Sequence, residues 1–133
     1  MIRGLFIVVA LSSVSHAQDR VSLNTISRVE VKGLTVEIEG SKKPSFTTFT
    51  LTSPPRLVID ISEAVFQGVP QDIQVGDGAI TAIKTAAYGS ASAAIARVVI
   101  GFEKEIDTDI STDGNLLKVK LPLDANPVLV AKA

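Results

Sequence analysis

The sequence lacks the side chains on which most enzyme active sites depend. It has no cysteine and no tryptophan, and its single histidine, His16, lies in the N-terminal stretch. The rest of the chain therefore offers no imidazole or thiolate for a catalytic zinc ion. It also offers no Ser/His/Asp or Cys/His nucleophile and no glycine-rich phosphate loop between a strand and a helix. We expect a protein that is not an enzyme, with no metal site and no cofactor.

Carboxylates remain as a source of catalysis. Asp107 and Asp109 alternate with apolar residues, so they share one exposed strand face, and paired carboxylates can hydrolyse a glycosidic bond. Glu103 and Glu105 lie beside them, which favours a solvated charged surface. Glycosidases also need a deep cleft, and the thin β-sandwich of short strands that we predict below offers little depth.

The sequence also lacks a strong net charge and a second long apolar run. It has 13 basic and 14 acidic residues, and its formal net charge is −1. Nothing here resembles the basic footprint of a nucleic-acid-binding protein. No apolar run after the N-terminal stretch approaches the roughly 20 residues that span a bilayer. We expect neither a nucleic-acid partner nor a transmembrane segment in the mature chain.

The N-terminus has the pattern of a secretory signal peptide. Arg3 precedes the apolar run 5–11, and Ser15-His16-Ala17 places small residues at the two positions that signal peptidase recognises. Residues 1–17 are therefore predicted to be cleaved after Ala17, which leaves 116 residues of the 133. That length suits one domain with a core that needs no disulfides. Arg3 is the only charged residue removed, so the mature chain has a net charge of −2.

Short alternating segments dominate the remaining chain. Pro54-Pro55 predicts a corner, because proline cannot sit inside a central strand, and residues 57–61 then alternate with Leu57, Ile59 and Ile61 toward the core. In the preceding strand 46–51, Phe46 and Phe49 are three residues apart, so a regular strand would place their rings on opposite faces of the sheet. This predicts either a bulge or a ring at the sheet edge. The predicted core comprises Val36, Ile38, Leu57, Ile59, Val98, Ile100, Phe102, Val119 and Leu121.

The second half of the chain repeats the first. Residues 26–29 match 80–83, the strand 34–39 matches 97–102, and 57–61 matches 117–121 at an offset of 60. We therefore predict an all-β sandwich of two pseudo-symmetric, roughly four-stranded sheets. The domain is expected at 26–122, after a polar leader at 18–25 and before a C-terminal tail at 123–133. We interpret 62–78 as a connection between the halves and 86–97 as a loop with at most one helical turn.

The order of these segments resembles a known family. A Phe-Thr-Leu strand is followed by Pro-Pro-Arg-Leu-Val-Ile-Asp-Ile (54–61), then by Arg-Val-Val-Ile-Gly-Phe (97–102), and finally by 116–121 after an Asp-Gly-Asn turn. This pattern, over 26–122, resembles the AMIN domain of periplasmic N-acetylmuramoyl-L-alanine amidases and type IV pilus secretins. The resemblance implies non-catalytic binding to peptidoglycan in the periplasm. The alternative that it implies is docking onto an envelope protein such as a secretin or an amidase. The amidases continue into a catalytic domain, and we expect a free-standing module here.

Four residues are candidates for ligand contacts. Tyr88, the only tyrosine, lies among small residues, where a ring and a hydroxyl could meet a sugar; it could equally pack on the rim of the sandwich. Arg56 and Arg97 begin the two signature strands, and a guanidinium can bind a stem-peptide carboxylate. Each arginine could instead pair with Asp60 or another acid to hold the sandwich. Lys84 is the fourth candidate.

Overall fold

Eleven β-strands build the described part of the chain. The computed structural model describes residues 22–122 and, before them, Gly4 alone. The signal peptide predicted at 1–17 and the tail predicted at 123–133 fall outside the described residues, Gly4 excepted. The strands are β1 (Asn24–Ile26), β2 (Arg28–Lys32), β3 (Thr35–Glu39), β4 (Phe46–Leu51), β5 (Arg56–Ser62), β6 (Ala64–Phe66), β7 (Asp72–Asp77), β8 (Ile80–Tyr88), β9 (Ile95–Phe102), β10 (Asp109–Asp113) and β11 (Leu116–Lys120).

Two antiparallel sheets face each other, which confirms the predicted all-β sandwich. The four-stranded sheet has the order β10-β11-β3-β2, and the five-stranded sheet has the order β4-β5-β9-β8-β7. A third, two-stranded parallel sheet pairs β1 with β6. The strands alternate between the sandwich interior and solvent, as antiparallel sheets with one buried face do.

The strand order explains the internal repeat. The hairpins β2-β3 and β4-β5 come from the first repeat, and β8-β9 and β10-β11 come from the second. Each sheet joins one hairpin from each repeat, with β3 beside β11 in one and β5 beside β9 in the other. The two repeats are therefore interleaved, and neither can build a complete sheet alone.

The core lies between the two sheets. All nine residues predicted for it are buried. On β5, Leu57, Ile59 and Ile61 point inward as their parity predicts. Val58 points to the opposite face and yet is only 2% exposed. Something on the outer surface of the five-stranded sheet therefore covers it.

Residues 62–78 hold more structure than the connection that we predicted. Ala64–Phe66 forms β6, and Asp72–Asp77 forms β7 at one edge of the five-stranded sheet. The register of β7 with β8 shifts between Gln74 and Asp77. A bulge of this kind breaks the period of two, which explains why the sequence pattern weakens here.

The loop predicted at 86–97 is much shorter in the structure. Strand β8 continues to Tyr88, β9 begins at Ile95, and a single 3-10 turn at Ala91–Ala93 lies between them. Gly89 makes the tight connection possible: its φ is +69°, and a Cβ there would collide with the backbone carbonyl of Ala93. Ala86, Ala87 and Ala96 therefore lie in strands, and Ala91, Ala93 and Ala94 lie in or beside the turn.

The ordered fold begins before Ile26. Asn24 is 4% exposed and lies in β1, inside the stretch predicted as a polar leader. Its side chain donates to the Lys42 carbonyl (3.2 Å) and accepts from the Lys42 amide (3.1 Å). Gly40 lies directly against Asn24, and any Cβ there would overlap its side-chain oxygen. These contacts tie the first strand to the turn before β4.

Candidate binding site

The four predicted contact residues lie on one surface. We call it the outer face: the side of the five-stranded sheet that points away from the core. Arg56 and Arg97 occupy outward positions on β5 and β9, and Lys84 and Tyr88 occupy outward positions on β8. The strand register brings them together although 41 positions separate Arg56 from Arg97 in the sequence.

An ion pair occupies the centre of the outer face. Arg97 and Asp60 are directly opposite each other on β9 and β5. Arg97 Nε donates to Asp60 Oδ1 (2.8 Å) and Nη2 donates to Oδ2 (3.0 Å), the fork geometry that arginine and carboxylates favour. The hydrogen bonds that Arg97 donates to Asp60 raise the pKa of Arg97 further above its ordinary value, so this charge is permanent.

Two aromatic rings flank the same guanidinium. Its central carbon lies 5.0 Å from the centre of the Tyr88 ring and 5.7 Å from the centre of the Phe49 ring, both within the range of cation–π attraction. Phe49 is on β4 and Tyr88 is on β8, so the Arg97 side chain extends over β5 and links strands at opposite sides of the sheet. Val58 lies between Phe49 and Val99 in the register, which accounts for its burial.

A wide groove of about 550 Å³ runs along this surface. Val58 and Val99, on the central strands β5 and β9, form an apolar floor, and Phe49, Arg97 and Tyr88 also line the groove. Among residues 22–122, the large apolar side chains that remain exposed are Phe49 (40%), Leu51 (37%) and Tyr88 (49%), and all three line the groove. Exposed apolar groups gathered on one face mark an interaction surface.

The sequence interpretation missed Phe49 and Leu51 as site residues. The signal was available, because Phe49 has the parity opposite to the inward-facing Phe46 on β4. The register of β4 with β5 is regular, so the two rings need no bulge, and the ring-at-the-edge interpretation is correct. Only the pairing of β4 with β5 shows that Phe49 lies beside the outward residues of β5.

Arg56 and Lys84 have fewer partners than Arg97. Arg56 Nη1 donates to the Pro54 carbonyl (2.8 Å), and no carboxylate among residues 22–122 forms an ion pair with it. Lys84 is exposed and pairs in register with Asp72 on β7, but it forms no ion pair within the described part of the chain. The Asp72 carboxylate instead accepts a hydrogen bond from Gln74 Nε2 (2.8 Å).

The outer surface of the four-stranded sheet has a different chemistry. Arg28 contacts Glu30 (2.8 Å), Glu37 (3.2 Å) and Glu39 (3.0 Å), and Lys32 lies 3.4 Å from Glu37. Partial burial alone would raise the pKa of Glu37, but the hydrogen bonds and charges of Arg28 and Lys32 lower it overall. The opposite charges on this surface of the four-stranded sheet are largely paired with one another. The surface therefore offers less to a ligand than the outer face does.

A metal centre and a membrane-spanning helix each require a particular arrangement of residues. No group of three or more His, Cys, Asp or Glu residues within 22–122 is arranged to hold a metal ion. In the same range, no helix has the length and apolar character that a membrane crossing requires.

The fold and its outer face define a small β-sandwich module with one exposed aromatic and cationic surface. Residues 24–121 match the family model of the AMIN domain. The chain therefore belongs to the AMIN domain family, a non-catalytic family of periplasmic modules associated with peptidoglycan and with amidases and secretins. The search of curated proteins found no match.

Proposed function

We propose that this protein is a non-enzymatic module that attaches to peptidoglycan in the periplasm through its outer face. One observation carries the proposal: the exposed large apolar side chains of the described chain share one groove with three cations, Arg56, Lys84 and Arg97. Rings and cations together suit a polymer of sugars and acidic peptides. The family supports the same ligand class, and the predicted signal peptide supports export.

Binding without cleavage is the expected activity. The chain beyond His16 has neither histidine nor cysteine, which removes the residues that most wall hydrolases would use. A wide, open groove also predicts weak binding that depends on many contacts along an insoluble polymer.

The first test is sedimentation with insoluble peptidoglycan stripped of protein. The wild-type protein should pellet with it at low salt and should release no soluble fragment. Tyr88→Ala should weaken binding about three- to tenfold, since an aromatic contact contributes roughly 0.5–1.5 kcal/mol. Leu116→Ala is the matched control, because it truncates an apolar side chain on the outer surface of the other sheet. Wild-type protein that stays in the supernatant contradicts the proposal.

A second candidate function is docking onto an envelope protein by strand addition. The observation that favours it is the edge strand β4, whose six residues, Phe-Thr-Thr-Phe-Thr-Leu, carry no charge and no proline. The other edges of the two large sheets are protected by charges on β2 and β10 and by the bulge in β7. An uncharged edge strand can accept an extended segment of another protein.

A further inference from the structure

The three cations of the outer face are not equivalent. Arg97 already forms two hydrogen bonds to Asp60 and lies between two rings. Its charge is largely satisfied within the protein, so a ligand carboxylate would gain little there. Arg56 donates only to a backbone carbonyl, and Lys84 is exposed without an ion pair in the described chain. Arg56 and Lys84 are therefore the cations available to a ligand.

Their positions in the sheet fix the distance between them. Lys84 pairs with Val99, and Val99 pairs with Val58. Arg56 is two residues before Val58 on β5. Strands about 4.8 Å apart with a rise of about 3.3 Å per residue place the Cα atoms of Arg56 and Lys84 roughly 12 Å apart. The floor between them is formed by Val58 and Val99.

This arrangement complements an extended acidic ligand. An extended peptide advances about 3.3–3.6 Å per residue, so three or four residues cover the distance between the two cations. The groove itself is lined by three cations, Arg56, Lys84 and Arg97, and by one carboxylate, Asp72. Two further carboxylates, Glu105 and Asp107, line a neighbouring cavity that shares Arg56. The valine floor suits small alkyl side chains, such as those of alanine.

We propose that the groove binds a short peptide with two carboxylates, one held by Arg56 and the other by Lys84, while Arg97 is a positioning residue that holds the rings of Phe49 and Tyr88. The inference rests on the proposed function, which is binding to peptidoglycan. It adds that the part of peptidoglycan bound is the stem peptide and not the glycan strand. Stem peptides are short, rich in alanine and bear free carboxylates. The muramic acid carboxyl is consumed in an amide bond wherever a stem is attached, so the glycan offers little to two cations.

The test compares three soluble competitors in the sedimentation assay with the purified protein. The competitors are a synthetic stem pentapeptide, the same peptide with every carboxylate amidated, and glycan strands freed of peptide. The unmodified pentapeptide should displace the protein from the wall, and the other two should not. Displacement by the bare glycan but not by the pentapeptide overturns the inference and leaves the proposed function intact. Failure of the wild type to sediment overturns both.

Paired substitutions test the residues. Arg56→Gln/Lys84→Gln should weaken sedimentation about tenfold for each cation removed and should reduce its sensitivity to salt. Lys118→Gln/Lys120→Gln removes the same charge from the outer surface of the other sheet and should change neither. If the two double variants sediment equally, Arg56 and Lys84 are not the anchors. The competition on wild-type protein gives an independent answer should a variant fold poorly.

Discussion

Arg97 has two candidate roles, and its neighbours in the structure distinguish them. From the sequence, an arginine at the start of an alternating strand fits a ligand contact and an internal ion pair equally well. Parity places Arg97 outward, but only the register of β5 with β9 places Asp60 opposite it. The alternative of an ion pair is the one that the structure contains. Tyr88 and Phe49 come together for the same reason, through contacts between strands distant in the sequence.

The residue-scale prediction concerns this ion pair. Arg97→Ala leaves the Asp60 carboxylate, 18% exposed, without its partner and removes the cation from between the two rings. We expect a destabilisation of roughly 1 kcal/mol, at the low end for an unpaired charge because the Arg97 side chain is 34% exposed. Wall binding should fall with it, since the rings lose their positioning residue. Chemical denaturation and sedimentation measure the two effects.

Asp60→Asn separates the two roles of Arg97. It weakens the ion pair but retains the guanidinium between Phe49 and Tyr88. Stability should fall while the rings keep their cation, so sedimentation should fall less than in Arg97→Ala. Arg97→Ala with unchanged stability and weakened binding would instead identify Arg97 as a direct ligand contact.

Strands with a strict period of two were predictable, and irregular ones were not. The core parities of β3, β5, β9 and β11 follow from alternation alone. Strand β7 was missed because its bulge shifts the parity, and β6 because three residues are too few to show a period. The ends of β8 and β9 were missed because alanine has no strong β preference. Ala96 is fully buried there because it faces the core between the two sheets, which its own propensity does not reveal.

The element-scale prediction tests the open edge of β4. The Ser62 amide donates to the Ser45 carbonyl (2.8 Å), so these two residues form a hydrogen-bonded pair. Hydrogen-bonded pairs alternate along an antiparallel ladder. The backbone groups of Thr47 and Phe49 therefore point toward β5, and those of Thr48 point toward the open edge. Thr48→Pro therefore removes an outward donor without breaking the β4-β5 ladder. It should abolish docking by strand addition and leave sedimentation with the wall unchanged. Phe49→Ala, the control, should weaken sedimentation and spare the backbone edge.

The two measurements separate the candidate functions. If Thr48→Pro leaves a defined envelope partner bound, strand addition at β4 is wrong. If it abolishes wall binding while the melting temperature stays the same, the wall polymer contacts the edge of the sheet and not the outer face.

At the scale of the whole molecule, the repeat in the sequence has a physical consequence. Each sheet takes one hairpin from each repeat, so the core exists only when both repeats are folded. The repeat itself was visible as matching alternating segments. Their interleaving was not, because a period of two says which face a residue occupies but not which strand is its neighbour.

The whole-molecule prediction uses the matched pair Leu57 and Leu117, which occupy equivalent positions of the two repeats and are 3% and 0% exposed. Leu57→Ala and Leu117→Ala should each cost about 2–5 kcal/mol. Because the repeats share one core, each variant should lower a single transition, with coincident melting curves by circular dichroism and calorimetry. Lys120→Gln, an exposed control, should change stability by less than about 0.5 kcal/mol. Two separate transitions in either leucine variant would show that the repeats fold independently, contrary to the interleaved sheets.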